Sequence, residues 1–167
     1  MKPTITQILF ATDLSRNSTY ALMHAASLAA STGAKLHVLH VSEPLSDDAL
    51  ITLRMFMQDT GSRTEALKAR HDHVKAVLTE RQKAFWAALP EADRGIQDQI
   101  ETIEIIDGYP AEVILRRAHE LKCNLIVLGA HDHGFSHTFL GTVAKRVLRR
   151  ADIPTLVVPY RDDEKPT

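Results

Sequence analysis

The segment from Gly129 to Thr142 reads Gly-Ala-His-Asp-His-Gly-Phe-Ser-His-Thr-Phe-Leu-Gly-Thr and joins an apolar run to a helical pattern. A helix start leaves N–H groups without partners and carries the positive end of the helix dipole, so it is a natural anion site. Gly129 and Gly141 would let the backbone approach a phosphate closely, and Thr142 offers a hydroxyl. Asp13, at the end of the first apolar run, is a better partner for ribose hydroxyls than for phosphates. Phosphate at one end and a hydroxyl acceptor at the other is what a nucleotide needs. Two commoner nucleotide motifs are missing. Gly141-Thr142 has no lysine between, and Ala11-Thr12-Asp13-Leu14-Ser15 holds no glycine, which weakens kinase, P-loop ATPase and dehydrogenase readings.

Plainer roles exist for the same residues. Asp13 would also cap a helix or close a turn, and Gly and Thr are both accepted at helix starts. The strand-end positions favour the ligand role. His131, His133 and His137 with Asp132 form a cluster that invites a metal, but no distant Cys/His pair completes a recognisable spacing, so no metal site is assigned. Cys123 reads as a small core residue rather than a nucleophile. It would share a helix face with His119 only if that helix ran on far enough. Lys145, Arg146, Arg149 and Arg150 fall in the C-terminal half of a helix, where positive charge complements the dipole, and read as solvated surface. No residue pair stands out as nucleophile and base, so no catalytic residue is assigned.

The elements that must position these residues follow from periodicity. Ile8-Leu9-Phe10-Ala11 reads as a strand buried on both faces. Ser15 would cap the next helix, with Leu22, Ala25, Ala26 and Ala29 as its stripe and Gly33 as its stop. Leu36–Val41 is the second strand. Residues 45–89 are unevenly helical, with a Met55-Phe56-Met57 patch (core, dimer contact or flap) and an expected break at Gly61-Ser62. Residues 90–95 read as a loop. Ile100–Ile106 alternates and suits an edge strand. Gly108-Tyr109-Pro110 opens a helix with Ala111, Ile114, Leu115, Ala118 and Leu121 inward. Leu125–Leu128 reads as the shortest and most apolar strand, and is therefore expected to be central. A helix over 142–150 and a strand at Thr155–Val158 complete a β-α-β-α-β-α-β-α-β order, hence a parallel sheet with helices on both faces.

The 167-residue length suits one domain, expected over 1–160 with a charged tail at 161–167. The net charge of −1 argues against broad nucleic-acid or membrane-surface binding. One cysteine, no apolar run of spanning length and no signal-like N-terminus point to a cytoplasmic protein.

Thr12-Asp13-Leu14-Ser15, His40-Val41, Gly108-Tyr109-Pro110-Ala111, Asn124 to His131 and Pro154 to Pro159 together resemble the universal stress proteins. The likeness spans almost the whole chain and keeps the family's order. It implies an α/β fold with an open parallel five-stranded sheet in the order 3-2-1-4-5. It also implies homodimers formed largely through the last strand, and ATP or another adenine nucleotide as ligand. Carried over residue by residue, Asp13 would meet the ribose, the Val41 backbone the adenine, and Gly129, Gly141 and Thr142 the phosphates, with Thr12, His131, Asp132 and Val143 as further candidate binding residues. The family's second loop glycine falls where this chain has His131 or Asp132, in a loop one residue shorter. Asp132 would then repel phosphates or hold Mg²⁺ between. Three functions follow: a nucleotide-binding stress regulator with an unknown protein partner, a dimeric interaction module that has lost ATP, or a slow ATP hydrolase or autophosphorylating protein.

Overall fold

Ile8, Leu9 and Phe10, apolar at both odd and even positions, have no choice but to be covered on both faces, and they form the middle of the fold. The structure is a computed structural model that describes residues 2–13, 16–88, 91–130 and 140–159. Strand β1 (Gln7–Thr12) lies at the centre of a five-stranded sheet, with those three side chains almost fully buried. Helix α1 (Arg16–Thr32) buries Ala21, Leu22, Ala25, Ala26 and Ala29. It stops at Gly33, whose φ of 72° suits a residue without a Cβ and whose N–H donates to the Ala29 carbonyl at 2.9 Å. The expected Ser15 cap lies outside the described residues.

Strand β2 (Lys35–Ser42) leads into α2 (Asp47–Phe56) and α3 (Thr60–Ala88), and a 3₁₀ segment (Glu91–Gln99) precedes β3 (Ile100–Asp107). Helix α4 (Pro110–Glu120), β4 (Leu125–Gly129), α5 (Thr142–Arg150) and β5 (Thr155–Val158) follow. All strand pairs are parallel, in the order β3-β2-β1-β4-β5. Side chains alternate across the sheet. Ile8, Phe10, Leu36, Val38 and Val127 therefore face α1 and Trp86 of α3, whereas Leu9, Leu39, Ile126 and Leu128 face α4 and α5.

The structure differs from the sequence reading at three places and narrows it at a fourth. The break between α2 and α3 falls at residues 57–59, ahead of Gly61-Ser62, because the Asp59 carboxylate accepts the Ser62 N–H (3.1 Å) and the Gly61 N–H (3.4 Å). It thereby starts the helix at Thr60. Those bonds, the Ser62 hydroxyl first, hold the Asp59 carboxyl below its usual range. Residues 91–95 belong to the 3₁₀ segment rather than a loop. Strand β4 is interior but takes second place to β1, and β5 is shorter. Finally, Met55, Phe56 and Met57 are exposed, so they are not core. Helix α4 ends before Cys123, so His119 and Cys123 do not share a helix face. His119 instead meets Asp152 at 2.8 Å. The four basic residues of α5 are exposed as expected.

Candidate functional site

In an open parallel sheet the strand order reverses where consecutive connections turn to opposite sides, and a crevice opens beyond the carboxyl ends of the strands there. Here β2 lies on one side of β1 and β4 on the other. At that point sits a cleft of about 310 Å³. Its lining includes Ala11, Thr12 and Asp13 at the end of β1, His40 to Glu43 at the end of β2, and Leu128, Gly129 and Ala130 at the end of β4.

Backbone and side-chain hydrogen bonds hold this lining. The His40 Nδ1–H donates to the Thr12 carbonyl at 2.8 Å, tying the end of β2 to the end of β1. Thr12 Oγ1 meets the Ser18 hydroxyl of α1 at 2.9 Å. The Gly108 N–H donates to the Ser42 carbonyl at 3.0 Å. On the other side the Gly141 N–H donates to the Ala130 carbonyl at 2.7 Å, and the Ala130 N–H to Val158 at 2.8 Å. The two ends of the loop from β4 to α5 therefore meet beside the cleft.

Of the residues singled out by sequence, Thr12, Asp13, Val41, Gly129, Gly141 and Val143 all line this one cleft. Gly141 is the N-cap of α5 and, as a glycine, supplies no side-chain cap of its own. A Cβ built on Gly129 would meet nothing within 4 Å, which marks open space where a ligand would lie. Thr142 opens α5 without lining the cleft. His131 and Asp132 lie outside the described residues, as do His133 and His137. Among the described residues no group of His, Cys, Asp or Glu could hold a metal ion.

The structure adds residues that periodicity could not place. Arg70 and Val74, one turn apart on α3, form part of one wall, and Pro110 and Ile114 of α4 part of the other. Arg70 Nη2 donates to the Glu43 carbonyl at 2.9 Å. The i, i+4 spacing of Arg70 and Val74 shows a shared helix face, but not what that face meets. Away from the cleft, Cys123 is buried and burial pushes its thiol up to about 11, so it is no nucleophile.

The comparison with known sequences decides the family. A sequence model of the universal stress protein family matches residues 4–159. This chain belongs to the universal stress protein family. Curated relatives include a universal stress protein of Thermus aquaticus, 32% identical over 152 residues (90% of this chain and 96% of that one). The stress response protein NhaX of Bacillus subtilis is 24% identical over 160 residues (91% of this chain, 96% of that one). Among solved structures, MJ0577 of Methanocaldococcus jannaschii shares the fold with a TM-score of 0.70 at 20% identity, covering 96% of this chain and 100% of its own. A universal stress protein crystallised in complex with cAMP has a TM-score of 0.60 at 22% identity, covering 94% of this chain and 98% of its own. Among the described residues of this universal stress protein, no helix is long and apolar enough to cross a membrane.

Proposed function

We propose that this universal stress protein binds an adenine nucleotide, with ATP as the first candidate, in the cleft at the carboxyl ends of β1, β2 and β4. The observation that carries the reading is the convergence of Asp13, Val41, Gly129 and Gly141 on one cavity at the switch point. Asp13 supplies a carboxylate for the ribose hydroxyls. The Val41 backbone supplies donor and acceptor for the adenine edge. Gly129 and Gly141, at the start of α5, receive the phosphates. A cavity of about 310 Å³ is at the small end of ligand sites, enough for a nucleoside with its phosphates running toward the mouth. That a relative of the same fold is found with cAMP supports the adenine class. Occupancy would act as a regulatory signal in a homodimer, read by a protein partner in the cytoplasm.

A second reading, an interaction module that no longer binds nucleotide, is favoured by Asp132 in the loop where the resemblance puts a glycine at His131 or Asp132. Calorimetric titration with ATP, with and without Mg²⁺, separates the two. Saturable binding supports the nucleotide reading, and a Mg²⁺ requirement assigns Asp132 a place at the ion. Absence of binding in folded, nucleotide-free protein supports the module.

A further inference from the structure

The cleft is a slot between two helices that belong to opposite faces of the sheet. Helix α3 packs on the α1 side through Trp86, and α4 packs on the other. Val74 and Ile114 give the cleft apolar lining from the two helices, and residues 41–43 line it as well. Apolar side chains accept the faces of a flat ring whose edge bonds to backbone groups. Arg70 stands one turn above Val74, on the same wall. Among the described lining residues it is the one lysine or arginine.

Arg70 is held by a neutral acceptor, the Glu43 carbonyl, two residues beyond Val41. That bond fixes the guanidinium while leaving its charge without a carboxylate partner among the described residues. The same bond also places it at the β2 end of the cleft. Gly129 lies two strands away, roughly 10 Å across the sheet. An arginine anchored to Glu43 is therefore on the base side of the site and not on the phosphate side. A planar guanidinium lies flat on an aromatic face, where the ring's negative face attracts it, and does so more strongly when a wall excludes water.

We infer that Arg70 is the base clamp of this site, stacking its guanidinium on the adenine ring that the Val41–Glu43 backbone holds by its edge. The inference rests on the nucleotide reading above and adds the residue that selects an aromatic base.

The test compares the unmodified chain with Arg70→Ala and Arg70→Lys by calorimetric titration with ATP, adenosine and inorganic tripolyphosphate. Arg70 is exposed, and circular dichroism checks that both variants fold. Arg70→Ala is expected to weaken ATP and adenosine by the same factor, roughly 3- to 30-fold, and to leave tripolyphosphate unchanged. Arg70→Lys, charged but not planar, should recover only part of the loss. A loss for ATP and tripolyphosphate with adenosine unaffected would make Arg70 a phosphate contact and overturn the clamp. So would equal affinities in all three proteins. An unmodified chain that takes up neither ATP nor adenosine would instead defeat the nucleotide reading, and the clamp with it.

Discussion

Asp13 is exposed just past the end of β1 and lines the cleft. Asp13→Ala should weaken ATP by roughly 10- to 100-fold, the usual worth of a hydrogen bond to a charged group. An unaltered affinity would remove Asp13 from the ribose. Cys123 makes the opposite case, since burial raises its thiol to about 11. Alkylation by iodoacetamide should be very slow near pH 7 in the native protein and become fast on denaturation; rapid native labelling would contradict its core role. Asp13 and the two glycines were legible in the sequence because strand ends and helix starts are local features. Arg70 was not, because nothing in a helical spacing says which wall of which cleft the residue will face.

The elements are held by a few polar devices that titrate. Arg117 of α4 forks onto Glu104 of β3, at 2.7 Å from Nε and 2.6 Å from Nη2, and that pairing holds the Glu104 carboxyl below its usual range. Buried His37 of β2 lies between Thr102 of β3 (2.9 Å) and Gln7 of β1 (2.8 Å), and desolvation lowers its pKa. Both groups have folded-state values below their unfolded ones, so both contribute stability at neutral pH that is lost on acidification. The His37 part fades below about pH 6.5, where the unfolded chain begins to take up the proton, and the Glu104 part below about 4.5. A thermal midpoint followed from pH 8 to 3 should fall in those two steps, and Glu104→Gln should shrink the lower one, to which Asp59 also contributes, at a cost of about 1–2 kcal/mol at pH 7. A midpoint flat down to pH 4 would contradict the buried His37 network. Gly108 fixes the turn into α4: its φ is +152°, and a Cβ there would lie 2.6 Å from Val113 Cγ2. Gly108→Ala should therefore cost about 1–3 kcal/mol in a urea melt. The parallel order was legible from alternating strand and helix patterns. The break at residues 57–59 was not, since Gly61-Ser62 drew attention while the Asp59 side chain made the cap.

At the scale of the whole molecule, two open places remain. Among the described residues strand β5 pairs with β4 only, and its outer edge is where the family resemblance implies a second copy. Val157→Glu should give folded monomers by analytical ultracentrifugation if the proposed dimer uses that strand; an intact dimer would move the interface elsewhere. The other open place is the cleft, and it carries the central claim. Adding a side chain at Gly129 meets no neighbour within 4 Å, so the fold should accept it while the ligand space is filled. The most direct measurement is calorimetric titration of the chain and of Gly129→Val with ATP, their thermal midpoints being compared alongside. Saturable binding to the first, none to the second, and midpoints that agree closely are expected. Equal ATP affinity in the two proteins would contradict a nucleotide site in this cleft.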